Sequence, residues 1–131
     1  MRSRHVSEVI RRSPDEVYAY AGNPDHLPRW ASGLAQSEVR RDGDDLVVRS
    51  PMGNVRVRFV ARNHLGVLDH TVTLPDGAQV LNPVRVVAHP EGAEVLFTVR
   101  QLGMSDEQFD ADVAAVAADL ARLRELLEQQ A

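Results

Sequence analysis

The stretch GVLDHTVTLPDG, residues 66–77, places an acid and an imidazole side by side, at Asp69 and His70. An acid beside a histidine is how many catalytic dyads begin, because the carboxylate can orient the imidazole for proton transfer. The surrounding valine and threonine residues instead indicate a β-strand, in which successive side chains point to opposite faces. Asp69 and His70 are therefore predicted to face apart, so that they do not form a dyad.

The neighbours of each residue predict which face is buried. His70 shares one strand face with the apolar residues Leu68, Val72 and Leu74. Asp69 shares the opposite face with Thr71 and Thr73. We expect the apolar face to pack against the protein interior, so that His70 is buried and Asp69 lies on the solvent-exposed face. Burial there would disfavour the charged imidazole and lower its pKa, unless an acid from another strand lies close. A bulge between residues 66 and 74 would reverse the assignment.

A second polar interruption lies in the sequence VLNPVRV. Asn82 precedes Pro83, which cannot donate a hydrogen bond to a sheet ladder, so a bulge or an edge is expected there. A bulge would turn Asn82 or Arg85 toward the interior, or would simply twist the strand. Both alternatives stay open at the level of sequence.

Other residue patterns that carry chemistry are missing from the sequence. Cysteine is absent, which excludes disulfides and thiolate nucleophiles and fits a reducing cytoplasm. His64, His70 and His89 lack the spacing of metal ligands. The sequence also contains no glycine-rich phosphate loop and no G-x-S-x-G elbow. We therefore expect no metal and no cofactor.

The charge balance bears on possible partners. A net charge of -4 and a pI near 5.7 argue against nucleic-acid binding. Arg56 and Arg58, with Arg62 nearby, would form either a small basic patch or an ordinary solvated strand face. No apolar run reaches the ~20 residues of a membrane span, and the N-terminus lacks the apolar core of a secretory signal. We expect a cytoplasmic monomer or homodimer.

The elements that must position these residues form one α+β domain over residues 1–131. Valine-rich runs separated by glycine turns predict antiparallel strands over 46–50, 55–62, 67–74, 79–89 and 94–100, after a first strand over 3–12. Their alternation puts Phe59 and Phe97 on the apolar face. Ser13 and Pro14 begin a short helix that ends at Gly22, and a second short helix follows.

The C-terminal segment predicts a long helix that covers the sheet. Ser105 and Gln108 form a capping-box signature, and the helix should extend to about Gln129. Apolar residues then recur at steps of four and three, at Phe109, Val113, Val116, Leu120, Leu123 and Leu127. Packing of this stripe on the sheet is the favoured interpretation, and a coiled-coil dimer is the alternative.

The sequence resembles a known family along essentially its whole length. SEVIRRSPDEVYAYAGNPDHLPRW resembles the opening of START-like, or SRPBCC, domains, which include polyketide cyclases and dehydratases and lipid carriers. GVLDHTV, NPVRV, EVLFTV and GMSDEQF resemble bacterial cyclase-like members. The resemblance implies a helix-grip fold, in which a curved antiparallel sheet wraps around the long C-terminal helix, two short helices follow the first strand, and a cavity lies inside. The family shares no catalytic motif, so no site residue is carried over.

The leading hypothesis is a protein that binds a small hydrophobic molecule (aromatic, polyketide-like or acyl) in that cavity. In this fold the segment that ends at Trp30 often borders the cavity mouth, so Trp30 would flank a ligand or anchor the helices. The expected ligand-binding residues are Trp30, Phe59, His70, Asn82, Arg85 and Phe97. The alternatives are a cyclase or dehydratase in which His70, Asn82 or Arg85 positions a substrate for proton transfer, and a protein-interaction module.

Overall fold

The structure is a computed structural model, and it describes residues 1–32, 34–35, 39–50 and 53–129. Its elements follow the predicted order of strand, short helices, antiparallel strands and long helix. They are β1 (Ser3–Ile10), α1 (Pro14–Ala21), a 3-10 turn (Pro24–His26), α2 (Leu27–Trp30), β2 (Arg40–Asp42), β3 (Asp45–Ser50), β4 (Gly53–Phe59), β5 (His70–Thr73), β6 (Gln79–Asn82), β7 (Val84–His89), β8 (Gly92–Arg100) and α3 (Asp106–Glu128).

The strands form two antiparallel ladders, in the orders β1-β8-β7 and β2-β3-β4-β5-β6. The predicted strand over 79–89 divides at Pro83, so that β6 belongs to one ladder and β7 to the other. This confirms the expected interruption, and its cause is the missing N–H of proline. The short strand β2 was not predicted, because its residues are all exposed and charged and show no alternation.

A seam between β7 and the segment that leads into β5 joins the two ladders. The N–H of Leu68 donates to the carbonyl of Val84, and the N–H of Val86 donates to the carbonyl of Gly66, both at 2.8 Å. Gly66 has a φ of +74°, and a Cβ at this position would lie 2.1 Å from the Val86 carbonyl oxygen. Glycine is therefore required for the seam to close. The seam also explains why β5 begins three residues later than the predicted strand start at 67.

Both longer helices begin where their caps predict. Ser13 and Ser105 each form a complete capping box, with Glu16 and Gln108 respectively. The helix α3 lies across β1 and β8 and also contacts α2. Four residues of its predicted stripe are buried, namely Phe109, Leu120, Leu123 and Leu127. The stripe thus packs on the sheet of its own chain, as predicted.

The core lies between α3, the two short helices and the concave face of the sheet. It includes Ile10 and Val95 from the sheet and Val17 and Leu27 from the short helices, all at most 1% exposed. In the part of the chain that is described, no helix combines the length and the apolar character needed to cross a membrane.

Candidate functional site

One row of side chains crosses three neighbouring strands on the concave face. Phe59 on β4 is paired with His70 on β5, and His70 is paired with Asn82 on β6. Phe97 on β8 approaches the same imidazole from the other ladder, with a ring-centroid distance of 6.1 Å. The structure thus brings together four of the six residues predicted from sequence, at a single place.

His70 is buried, with 6% of its surface exposed, and both of its ring nitrogens have a partner. Nδ1 lies 3.1 Å from the carbonyl oxygen of Leu68, and Nε2 lies 3.3 Å from Nδ2 of Asn82. A carbonyl only accepts, so Nδ1 carries the proton; Nε2 of the neutral ring then accepts a hydrogen bond from Asn82. The site therefore presents a neutral imidazole of defined tautomer.

The aromatic surroundings favour this neutral form. The Phe59 ring centroid lies 4.8 Å from that of His70, so the imidazole packs against apolar rings. Burial lowers the pKa of His70 below its ordinary value of 6.5, although the hydrogen bond to Leu68 and the charge of Asp69 oppose the shift. The direction agrees with the sequence prediction.

A cleft of about 330 Å³ opens between α1 and the end of β4, and we call it the α1 cleft. Its lining residues are Tyr18, Ala19, Gly22, Asn23, Pro24, Phe59, Val60, Arg62 and Leu68. Phe59 and Leu68 line the α1 cleft and also contact His70, one through its ring and the other through its carbonyl oxygen. His70 therefore lies directly behind the inner wall of the cleft.

The predicted strand over 55–62 ends at Phe59, so Arg62 lies in the loop that follows and not on the strand. Asn63 organises this loop, because its side chain accepts from the N–H groups of Leu65 and Val67 and donates to the carbonyls of Ala61 and Val67. An asparagine that bonds to nearby backbone is a usual loop device, and the sequence NHLG contains it. The signal was present, but nothing in the sequence tells which element the loop lies against.

Asp69 faces the opposite side of the sheet from His70, as predicted. Its carboxylate accepts from the N–H of Val84 at 2.8 Å and from Nε and Nη2 of Arg85 at 2.9 and 2.8 Å. The hydrogen bond from Arg85 is the main reason that the pKa of Asp69 lies below its ordinary value. Arg85 is half-exposed on this convex face, so the structure does not bring it together with His70.

Trp30, the remaining predicted residue, lies in the core and is 7% exposed. It is not among the residues that line the α1 cleft. Within the described part of the chain its Nε1 is the buried side-chain polar atom that has no hydrogen-bond partner. A direct contact of Trp30 with a ligand stays a prediction.

The possible basic patch at Arg56 and Arg58 is neutralised. Asp45 accepts from both guanidinium groups, at 3.1 and 2.6 Å, and Arg56 also pairs with Asp42 at 2.5 Å. The hydrogen bond from Arg58, followed by that from Arg56, lowers the pKa of Asp45. This surface is therefore an ordinary solvated strand face, one of the two interpretations of the sequence, and not a free basic patch.

A second open region, which we call the outer groove, lies on the convex face of β1, β8 and β7. It has a volume of about 390 Å³ and is lined by His5, Pro83, Arg85, Val87, Leu96, Thr98 and Arg100. Nδ1 of His5 lies 2.8 Å from the hydroxyl oxygen of Thr98. Among the residues described, no group of three histidine or acidic side chains is arranged to hold a metal ion.

The architecture defines the class of protein first: a long C-terminal helix gripped by a curved antiparallel sheet is the helix-grip fold. The chain belongs to the family described as polyketide cyclase / dehydrase and lipid transport, whose model matches residues 1–128. Among curated proteins, none matches the sequence significantly.

Solved structures share the fold at low sequence identity. A protein from Mesorhizobium loti is 14% identical with a TM-score of 0.74, and the alignment covers 99% of both chains. The Aha1 dimer from Colwellia psychrerythraea is 15% identical with a TM-score of 0.76, covering 98% of both chains. DynU16, a protein of the dynemicin biosynthetic locus, is 16% identical with a TM-score of 0.75, and the match covers 97% of this chain and 47% of that one. These likenesses establish the fold.

Proposed function

We propose that the protein binds a small hydrophobic molecule, with an aromatic, polyketide-like or acyl body, in the α1 cleft and against the wall behind it. The observation that carries the proposal is the double role of Phe59, which lines the cleft and packs on His70. A ligand that displaces the half-buried Phe59 ring would reach His70 and Asn82 from the cleft. Phe97 would then complete an aromatic environment around its inner end.

The chemistry of the wall supports an apolar ligand with one polar anchor. Leu68 and the two phenylalanines offer apolar surface. Both ring nitrogens of His70 are engaged, so the polar anchor is the Asn82 amide, whose oxygen and second N–H can bind a ligand. Binding sites for small molecules are commonly apolar with a few placed polar groups. The family description and the DynU16 neighbour agree with such a ligand.

The small number of titratable side chains around His70 favours a binding function over a catalytic one. A cyclase or dehydratase reaction needs a proton acceptor and a proton donor within reach of one substrate. Of the buried side chains that are described, His70 and Tyr20 can titrate. The Tyr20 ring stacks on His26 and is not among the contacts of His70, and Asp69 faces the other way. Asn82 can donate a hydrogen bond, but it cannot deliver a proton.

The test is a blocked cleft. Ala19 is exposed on α1 and lines the α1 cleft, so Ala19→Trp fills the cleft with little cost to the core. The probe is N-phenyl-1-naphthylamine, an apolar dye whose emission rises on binding. We expect the parent protein to bind the dye and Ala19→Trp to weaken binding at least about tenfold, the factor of ~1.4 kcal/mol of lost contact.

Ala114→Trp is the matched control, because Ala114 is exposed on α3, whose buried stripe faces the sheet. It should leave the affinity unchanged. Equal weakening by both variants, or a parent protein that binds neither the dye nor any member of an aromatic and fatty-acid panel in native mass spectrometry, would refute the proposal.

The emission of Trp30 offers a second readout, since the chain has one tryptophan. Binding of a non-fluorescent apolar acid or alcohol should shift or quench this emission if Trp30 lies near the bound molecule. Binding detected by calorimetry with an unchanged spectrum would assign Trp30 to anchoring alone.

A further inference from the structure

We infer that the ligand of the α1 cleft carries an anionic group at its outer end, and that Arg62 binds this group at the cleft mouth. This inference rests on the proposed function and names the class of ligand, an amphiphilic anion whose apolar body lies along Phe59 and Leu68. It makes Arg62 the residue that distinguishes charged from neutral ligands.

The first observation is the charge of the α1 cleft. Of its nine lining residues, Arg62 is the one with a full charge, and none is acidic. Eight of the fifteen arginines form ion pairs with described carboxylates, and Arg62 is among the seven that do not. Of those seven, Arg62 is the one that lines the α1 cleft. In a protein of net charge -4, a guanidinium at a cleft that holds no acidic side chain is positioned to receive an external anion.

The second observation is that the Arg62 side chain is held in place. Its guanidinium carbon lies 5.8 Å from the centroid of the Tyr18 ring, within cation–π range. Tyr18 is itself fixed, because its hydroxyl oxygen accepts from the N–H of Asn63 at 3.0 Å. A pre-positioned guanidinium loses less conformational entropy when it binds an anion than a free one does.

The third observation is the rigidity of the loop. The four hydrogen bonds of the Asn63 side chain tie residues 61–67 together, and Gly66 seats the end of the loop on Val86 in the seam. A loop that is fixed by these hydrogen bonds therefore places Arg62 at the mouth of the α1 cleft. The inner end of the site holds a neutral imidazole, so the anion is expected at Arg62 and the apolar body inside.

The experiment compares two dyes with the same ring system. 1-Anilinonaphthalene-8-sulfonate carries an anionic group, and N-phenyl-1-naphthylamine does not. Arg62→Gln should weaken binding of the sulfonate dye about fivefold, the size expected of a solvent-accessible ion pair. It should change the affinity for the neutral dye less than about twofold. Raising the salt concentration from about 50 to about 500 mM should weaken the sulfonate dye in the parent protein and not in Arg62→Gln. Arg62→Lys should retain part of the preference.

Arg100→Gln is the control, because Arg100 is an exposed arginine of the outer groove. Selective weakening of the sulfonate dye by Arg100→Gln would place the anion on the convex face and overturn the inference. An unchanged affinity in Arg62→Gln, with Ala19→Trp still blocking the neutral dye, would overturn the inference while the proposed function stands. A parent protein that binds neither dye would refute both the proposed function and the inference about Arg62. Thermal melting of each variant checks that the fold is intact.

Discussion

Asp69 and His70 are covalent neighbours, and yet they lie in opposite environments. Asp69 faces the convex surface, where Arg85 and a backbone N–H keep it charged. His70 faces the concave interior, where burial between aromatic rings keeps it neutral. The comparison shows that the pleat of one strand separates two kinds of chemistry by a single residue. The convex face pairs its charges in contact with water, whereas the concave face forms the wall of the proposed ligand site.

The largest expected difference between the two faces is in packing. Leu123→Ala removes a fully buried side chain of α3 and should lower the free energy of unfolding by about 2–5 kcal/mol. Val87→Ala, at a 41% exposed position of the convex face, should change it by less than about 0.5 kcal/mol. Urea denaturation of both variants measures the difference. Equal losses would mean that the convex face is also covered.

The second-largest loss of stability is expected from substitutions in the seam that joins the two ladders. Gly66→Ala combines a positive φ with a clash against the Val86 carbonyl, and should cost about 2–4 kcal/mol. Gly77→Ala has a φ of +89° but nothing within 4 Å of the added Cβ, so its expected cost is about 1 kcal/mol. Similar melting temperatures for the two variants would contradict the packing described for the seam.

The third prediction concerns pH and the concave face. The pKa of His70 is lower in the folded protein than its ordinary 6.5, so between these two values the unfolded chain binds more protons. His70 should therefore reduce stability as the pH falls below about 6.5, by at most about 1.4 kcal/mol per pH unit, and have no effect above about pH 7.5.

Denaturant midpoints of the parent protein and of His70→Gln, measured at about pH 7.5, 6.5 and 5.5, test this window. The variant should lose less stability than the parent protein on acidification. His64→Gln, at an exposed position, should keep the parent slope. A parent slope retained by His70→Gln would show that the imidazole is not buried in the neutral form.

The smallest expected effect is on the convex face. Asp69→Asn keeps the shape but removes the charge that Arg85 and the Val84 N–H bind, so it should cost about 1 kcal/mol at neutral pH. The pKa of Asp69 is lowered, so its contribution is present above its ordinary 3.8 and is lost only as the pH falls through the folded value. Parent and variant should therefore become equally stable in strong acid. If the stability difference between the parent protein and Asp69→Asn disappeared already near about pH 6, the effects of Asp69 and His70 would not fall in separate pH ranges, which would contradict the prediction.

The sequence by itself determined the local features of this protein. Capping boxes at Ser13 and Ser105, the stripe of α3 and the turn glycines depend on residues a few positions apart, so their physics is readable along the chain. The opposite facing of Asp69 and His70 follows in the same way from strand period. A bulge or an edge at Pro83 was expected from its missing N–H, whereas the division of the strand between two ladders was not.

The tertiary structure alone decided which of these features meet. Asn82 reaches His70 and Asp69 reaches Arg85 only through strand register, and Arg62 reaches the α1 cleft only because α1 packs beside its loop. Such contacts join residues 12 to 45 positions apart. Their geometry depends on how the two ladders join at the seam, which alternation and turn residues do not encode. This is why the sequence grouped Arg85 with His70 and did not place Arg62 at the α1 cleft.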